Sequence, residues 1–148
     1  MSGDAPAVMA AERSFLAFDF GTRRIGVASG NTVLGRAAPL MTLDRVGEAR
    51  FDAIARLVRD WRPDALVVGV PRHPDGTPHG NTARAQRFAR QLQGRFGLPA
   101  HEVDERYSTV EAARAGPADV DAASAAVILD QFLRSLGVAA AAGDTGWT

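Results

Sequence analysis

The stretch Ser14-Phe-Leu-Ala-Phe-Asp-Phe-Gly-Thr-Arg-Arg-Ile-Gly-Val-Ala-Ser29 decides the fold, because it holds two short apolar runs joined by a turn. Residues 16–20 and 25–29 have the length and composition of buried β-strands, and the glycine and arginines between them are typical of a turn. A third run follows at residues 36–43 after the turn dipeptide Gly-Asn. Three short strands in succession predict an antiparallel meander.

Beyond this meander, apolar residues recur at helical spacing and then in continuous runs. Helices are predicted at residues 45–61 and 82–96, from Ser108 for a short distance, and from residue 119 or 120 to 136. Strands are predicted at residues 65–70 and 100–104. The core face of the first helix is expected to carry Phe51, Ile54, Val58 and Trp61. This order predicts an α/β domain with a five-stranded mixed sheet, in which three antiparallel strands precede parallel strands, flanked by helices.

Length and composition limit the classes of protein. The 148 residues fit one domain, expected at residues 14–136 between flexible tails at 1–13 and 137–148. The chain has no cysteine, which excludes disulfides and thiolate zinc sites and fits a reducing cytoplasm. No run of 18 apolar residues is present, so no membrane span is expected. Net charge is zero, but residues 76–101 carry four arginines and no acid, whereas residues 102–130 carry seven acids.

Three acids stand at the ends of predicted core elements. Asp19 ends the first strand, Glu105 follows the last strand, and Asp121 opens the last helix on its inward face. A carboxylate in such a place costs desolvation energy unless something pairs with it. Three converging carboxylates would form a hard oxygen site suited to Mg²⁺ or Mn²⁺. Asp121 has a second reading, because an acid near a helix N-terminus also stabilises the helix dipole.

Four motifs in order resemble the YqgF/RuvX family of the ribonuclease H-like superfamily. They are Ala17-Phe-Asp-Phe-Gly-Thr-Arg-Arg-Ile-Gly-Val-Ala28, Val68-Gly-Val-Pro71 with Asp75-Gly-Thr77, Asp104-Glu-Arg-Tyr-Ser-Thr-Val-Glu-Ala112 and Val120-Asp-Ala-Ala-Ser-Ala125. The resemblance implies a ribonuclease H-like fold. It also implies a nuclease that resolves Holliday junctions or matures the 5′ end of pre-16S rRNA, with its acids at Asp19, Glu105 and Asp121.

The resemblance also implies how the site would work. Asp19 would bridge two Mg²⁺ or Mn²⁺ ions about 4 Å apart, and Glu105 and Asp121 would each complete one shell. The expected partner is branched DNA or an rRNA precursor, and junction resolution would require a homodimer with two active sites. The residues expected to bind nucleic acid are Gly21, Thr22, Arg23, Arg72, Arg84, Arg87 and Arg106.

Several of these residues have plainer readings. Gly21 and Thr22 could serve only the hairpin, Arg84 and Arg87 could form an ordinary solvated helix face, and Asp75 is better explained as a turn residue than as a metal ligand. The segment at residues 113–120 is shorter and less basic than is usual in the family, which reduces the expected number of phosphate contacts.

Two other functions compete with the nuclease. The hairpin from Asp19 resembles the phosphate-binding hairpin of the sugar kinase and actin superfamily, although 148 residues leave no room for the second domain that those proteins need. A non-catalytic nucleic-acid-binding module is the other alternative, and the presence of all three acids argues against it.

Overall fold

The computed structural model describes residues 12–73, 75–78, 80–105 and 120–145, which contain five strands and three helices. In chain order, the elements are β1 (Ser14–Asp19), β2 (Ile25–Asn31), β3 (Ala37–Leu43), α1 (Gly47–Trp61), β4 (Ala65–Val70), α2 (Thr82–Phe96), β5 (Ala100–Asp104) and α3 (Val120–Thr145).

The five strands form one mixed sheet in the order β3-β2-β1-β4-β5. β1 pairs antiparallel with β2, and β2 pairs antiparallel with β3, so the predicted meander is confirmed. β4 pairs parallel with β1, and β5 pairs parallel with β4, so the predicted parallel half is also confirmed. Because β1 and β4 are parallel neighbours, their carboxyl ends meet at one edge of the sheet.

Helices cover both faces of the sheet, and the alternation of β1 shows which residue serves which face. Leu16 and Phe18 pack in the core formed with α1 and α2, which contribute Ile54 and Phe88. Phe15 and Ala17 pack in a second core under α3. β4 is buried along its whole length. This double burial explains why its sequence is a continuous apolar run rather than an alternating one.

The predicted bounds of β4, α2 and β5 are confirmed, those of β2, β3 and α1 differ by one or two residues at one end, and those of β1 differ at both ends. The prediction that Trp61 faces the core is wrong, because its side chain is 48% exposed. Leu57 is buried in its place, so the apolar stripe turns away before the last residue of the helix. Arg62 then ends α1 in the left-handed region, at φ 47°, and Pro63 follows it.

The predicted end of the last helix at Leu136 is also wrong, because α3 continues to Thr145. The added residues include four consecutive alanines, the residue with the highest intrinsic helix propensity, and no proline. The predicted short helix from Ser108 lies outside the described residues, as do residues 1–11 of the predicted N-terminal tail. Within the described part of the chain, no helix is both long and apolar enough to cross a membrane.

Candidate active site

Asp19 is the last residue of β1 and lies at the edge where β1 and β4 both end. Its partners in the sheet are Gly26 on β2 and Gly69 on β4. Successive residues of a strand point to opposite faces, so Asp19 lies on the same face as Phe15 and Ala17. That face packs under α3, and the Asp19 carboxyl group is therefore on the side of the sheet where α3 begins.

The two glycines beside Asp19 give the other acids room to approach. A Cβ atom on Gly26 would overlap the backbone carbonyl of Asp121, so the first turn of α3 rests directly on β2. A Cβ atom on Gly69 would lie 2.6 Å from Oε2 of Glu105. The backbone N–H of Glu105 donates to the carbonyl of Val70 at 3.2 Å, which ties the end of β5 to the end of β4. A larger residue at Gly26 would displace the first turn of α3, and one at Gly69 would press on the Ile128 side chain of α3 as well as on Glu105.

The Asp19 carboxyl group contacts a second acid and a buried hydroxyl. Its side chain is hydrogen bonded to the side chains of Glu105 and Ser124, and it feels the charge of Asp121. Burial raises the pKa of Asp19 to about 6, and the Asp121 charge adds to that effect, while the bonds to Glu105 and Ser124 oppose it. Because burial is the largest of these effects, Asp19 holds its proton to a higher pH than an exposed aspartate does.

Asp121 lies in the first turn of α3 and faces an arginine of the β1–β2 hairpin. Nε of Arg24 approaches Oδ2 of Asp121 at 3.0 Å, and the side chains are 62% and 29% exposed. An open cleft of about 520 Å³ surrounds this ion pair. The residues that line the cleft are Gly21, Thr22, Arg23, Arg24, Asp44 and Asp121.

The three acids have the right chemistry for a hard divalent cation, but they do not form a finished metal site. No group of three acidic, histidine or cysteine side chains in the described ranges has the spacing to hold an ion. Asp19 and Glu105 bond to one another, and Asp121 is held by Arg24. The residues nevertheless fit Mg²⁺ or Mn²⁺, because both prefer carboxylate oxygens and because repulsion among the acids favours a bound cation.

The hairpin residues predicted to bind nucleic acid line this cleft. A Cβ atom on Gly21 would overlap the carbonyl oxygen of Arg24, so glycine is required by the tight turn itself. Thr22 and Arg23 are exposed on the cleft wall. The structure therefore brings these three residues close to Asp121, while the need for Gly21 is explained by the hairpin alone.

The other arginines predicted to bind nucleic acid lie away from the cleft or outside the described residues. Arg72 follows β4 and forms an isolated bridge with Pro78. Arg84 and Arg87 are exposed on α2, which packs on the sheet face opposite α3. Arg106 lies outside the described residues. None of the three described arginines lines the cleft beside Asp121.

Asp75 is a turn residue, as the sequence favoured. Its Oδ1 accepts hydrogen bonds from the backbone N–H of Thr77 at 2.9 Å and from the Thr77 hydroxyl at 2.7 Å. These bonds hold the pKa of Asp75 below its usual value. Asp75 is exposed and serves its own loop.

Four residues around the acids were not predicted from the sequence. Gly26 and Gly69 carried a usable signal, because glycine inside a strand marks a close approach of another chain segment. Ser124 carried a weaker sequence signal, since a serine in an apolar helix needs a hydrogen-bond partner for its hydroxyl. Arg24 had no signal that distinguished it from Arg23, because the choice between them depends on the twist of the hairpin.

Residues 13–135 match the model of the family described as "RuvX: Holliday junction resolvase". This chain belongs to the RuvX family. A relative from Polaromonas sp. strain JS666, named "Putative pre-16S rRNA nuclease", is 59% identical over 88% of this chain and 95% of its own. Another of the same name, from Albidiferax ferrireducens, is 57% identical over 90% of this chain and 86% of its own.

The RuvX chain also shares its fold with a solved structure. The structure described as "T. thermophilus RuvC in complex with Holliday junction substrate" superposes with a TM-score of 0.52 at 15% identity. The match covers 83% of this chain and 96% of that one. At this identity the likeness concerns architecture alone, and it confirms the ribonuclease H-like fold. Membership of the RuvX family also sets aside the sugar kinase and actin alternative.

Proposed function

We propose that this RuvX-family chain is a metal-dependent endonuclease that hydrolyses phosphodiester bonds in structured nucleic acid. The observation that carries the proposal is the hydrogen-bonded pair of Asp19 and Glu105 with the charge of Asp121 beside it. This arrangement is unfavourable for the fold on its own account, because burial opposes the ionised form of Asp19 and the charge of Asp121 adds to that effect. A site for divalent cations explains why the chain retains it.

Asp19, Glu105 and Asp121 would hold the ions, in keeping with a two-metal site. When bound, Mg²⁺ or Mn²⁺ supplies an activated water and neutralises charge on the leaving oxygen. The protein contributes the fixed positions of these carboxylates. Gly26 and Gly69 allow them to approach, and Ser124 orients Asp19 through its hydroxyl.

The wall of the cleft would hold the nucleic acid strand beside the acids. Thr22 and Arg23 are exposed there and present a hydroxyl and a guanidinium to the cleft. Arginine can bind phosphate through two parallel hydrogen bonds, which fixes the strand in orientation as well as in position. Arg84 and Arg87 would extend the contact only if the strand passes around the end of the sheet to α2.

Two substrates follow from the comparisons, and both are proposals for this chain. The names of the relatives favour a precursor of 16S rRNA, and the family resemblance implies cleavage at its 5′ end. The description of the family favours a four-way DNA junction. Cutting a junction symmetrically requires two active sites and therefore a homodimer, whereas cutting an RNA requires one. The cytoplasmic location and the homodimer expected from the sequence remain predictions.

The test places both substrates in one assay with Mg²⁺ or Mn²⁺. One is a labelled four-way DNA junction, and the other is an RNA that spans the 5′ end of the small-subunit rRNA precursor. Asp19→Asn keeps the shape of the side chain and removes a ligand charge, so it should abolish cleavage. Asp52→Asn removes a charge from the exposed face of α1 and should cleave like the parent protein.

The outcomes separate the proposals. RNA cleavage that is lost in Asp19→Asn supports the processing nuclease, and junction cleavage that is lost in the same variant supports the resolvase. Sedimentation that shows a strict monomer would count against junction resolution. Cleavage by Asp19→Asn at the parent rate would mean that the site is elsewhere. Binding of either substrate without cleavage would favour the non-catalytic module.

A further inference from the structure

The β1–β2 hairpin has an anchored backbone, and the exposed side chain of Arg24 projects from it. Its turn is tight at Gly21 and is held from behind by Arg50, a side chain only 7% exposed. Nη2 of Arg50 donates to the carbonyl of Thr22 at 3.1 Å, and its Nε donates to the carbonyl of Arg45 at 2.9 Å. The backbone that carries Arg24 is therefore anchored, while the Arg24 side chain is 62% exposed and can change partner.

Arg24 and a divalent cation would require the same carboxylate. Nε of Arg24 lies 3.0 Å from Oδ2 of Asp121. Carboxylate oxygens such as this one are also the ligands that Mg²⁺ and Mn²⁺ prefer. An Asp121 carboxylate bound to a cation would be poorly placed to keep a guanidinium at that distance, because the two positive charges repel. The two ligands of Asp121 therefore compete.

Once released, the Arg24 guanidinium would remain in the cleft. Thr22 and Arg23 line the same cleft and are exposed. The anchored hairpin limits how far the charge can move, so its new partner would be either Asp44, which lines the same cleft, or an anion that lies along the cleft wall. A phosphate of a nucleic acid strand supplies two oxygens that match the fork of a guanidinium.

We propose that Arg24 serves two partners in turn: it neutralises Asp121 before a divalent cation binds, and it binds a phosphate of the nucleic acid strand after the cation has taken the Asp121 carboxylate. The proposal deepens the function proposed above and rests on it. It assigns Arg24 a positioning role toward Asp121 and a binding role toward substrate. It also couples the two ligands, because each one releases a charge that the other uses, and such coupling is reciprocal.

The first measurement is the affinity for Mn²⁺ in the absence of nucleic acid. The electron paramagnetic resonance signal of the free ion reports how much Mn²⁺ remains unbound. Arg24→Gln should raise Mn²⁺ affinity about two- to fivefold, the range that partly exposed ion pairs contribute. Arg23→Gln removes a neighbouring charge from the same hairpin, and a smaller change than that of Arg24→Gln is expected. In an Asp121→Asn background, Arg24→Gln should have no effect, which isolates the pair as a double-mutant cycle does.

The second measurement is the affinity for the labelled junction and RNA, by fluorescence anisotropy with and without Ca²⁺, which serves as the oxygen-binding cation in place of Mn²⁺. The parent protein should bind the strand more tightly when Ca²⁺ is present, and Arg24→Gln should lose most of that gain. Arg23→Gln should weaken binding in both conditions and keep the gain.

The results distinguish this inference from the function on which it rests. A parent protein that binds Mn²⁺ with an affinity unchanged by Arg24→Gln, or changed equally by Arg23→Gln, overturns the role of Arg24 alone. Retention of the full Ca²⁺ gain by Arg24→Gln overturns it as well. A parent protein that binds no Mn²⁺ overturns both the proposed nuclease site and this inference.

Discussion

Replacing Asp19 with asparagine should stabilise the protein while it abolishes cleavage. Asparagine has nearly the same shape, its amide N–H can donate to the Glu105 carboxyl group, and its oxygen can accept from the Ser124 hydroxyl. The variant therefore keeps both hydrogen bonds of the Asp19 side chain. It removes only the charge that burial and Asp121 oppose.

The size of the effect follows from the pKa of Asp19. Burial raises this pKa from 3.8 to about 6. The rise from 3.8 to about 6 corresponds to at most about 3 kcal/mol between the two protonation states of Asp19. Between pH 4 and pH 6 the folded protein keeps a proton that the unfolded chain releases. The contribution of Asp19 to the free energy of unfolding therefore falls as pH rises through this window and is constant above it.

Urea unfolding of parent and variant, at several pH values and with a chelator present, measures this contribution. The difference in unfolding free energy should be small near pH 4 and should rise to about 1–3 kcal/mol in favour of Asp19→Asn at about pH 8. Asp52→Asn, the exposed control on α1, should give a small difference that does not depend on pH in this way. Subtracting the unfolding free energy of the parent from that of the variant cancels, to first order, the contribution from the titration of all other acids.

A flat difference between pH 4 and pH 8, or a variant less stable than the parent at pH 8, would refute the reasoning. It would mean that the Asp19 charge is solvated or compensated in the folded protein. Addition of Mg²⁺ gives an independent check, because a cation bound only by the folded state stabilises it by mass action. The parent protein should gain stability from Mg²⁺, and Asp19→Asn should gain much less.

Three further changes test the other parts of the site. Asp121→Asn should abolish cleavage with the fold intact, and retained activity in a cleavage assay would return Asp121 to a helix-stabilising role. Gly69→Ala should lower the unfolding free energy by about 1–3 kcal/mol and reduce cleavage, since its Cβ atom would press on both Ile128 and Glu105; urea unfolding equal to that of the parent would show that both side chains can move aside. Alanine at both Arg84 and Arg87 should lower the salt dependence of nucleic acid binding by roughly one unit per lost phosphate contact, and an unchanged slope would leave α2 as a solvated face. The control carries alanine at two exposed arginines of α1, Arg56 and Arg59.

The sheet could be predicted from the sequence because its signals are local. The β4 run is apolar throughout, and the meander strands are separated by turn residues, so the antiparallel meander and the parallel direction of the later strands could be predicted from element order. The ends of α1 and α3 were harder to predict. Trp61 continued the helical period on paper, yet the sheet surface ends before it, and only the packed structure shows where a core ends.

The acids could be predicted individually, but their relations could not. Asp19, Glu105 and Asp121 each stood at the end of an element, and that position is visible in a sequence. The bond between Asp19 and Glu105 depends on the register of β1 with β4. The pairing of Asp121 with Arg24 rather than Arg23 depends on the twist of the hairpin. Neither register nor twist is encoded by the spacing of residue types.

The position of α3 in the chain has a consequence for synthesis. Asp121 and Ser124 lie on α3, which follows all five strands in sequence, whereas Asp19 is in the first strand. A chain still being translated can assemble the meander but has no first turn of α3 to place against Gly26. The acidic site is therefore incomplete until α3 has left the ribosome and docked. The activity proposed for these acids would therefore begin only after α3 has docked on the completed sheet.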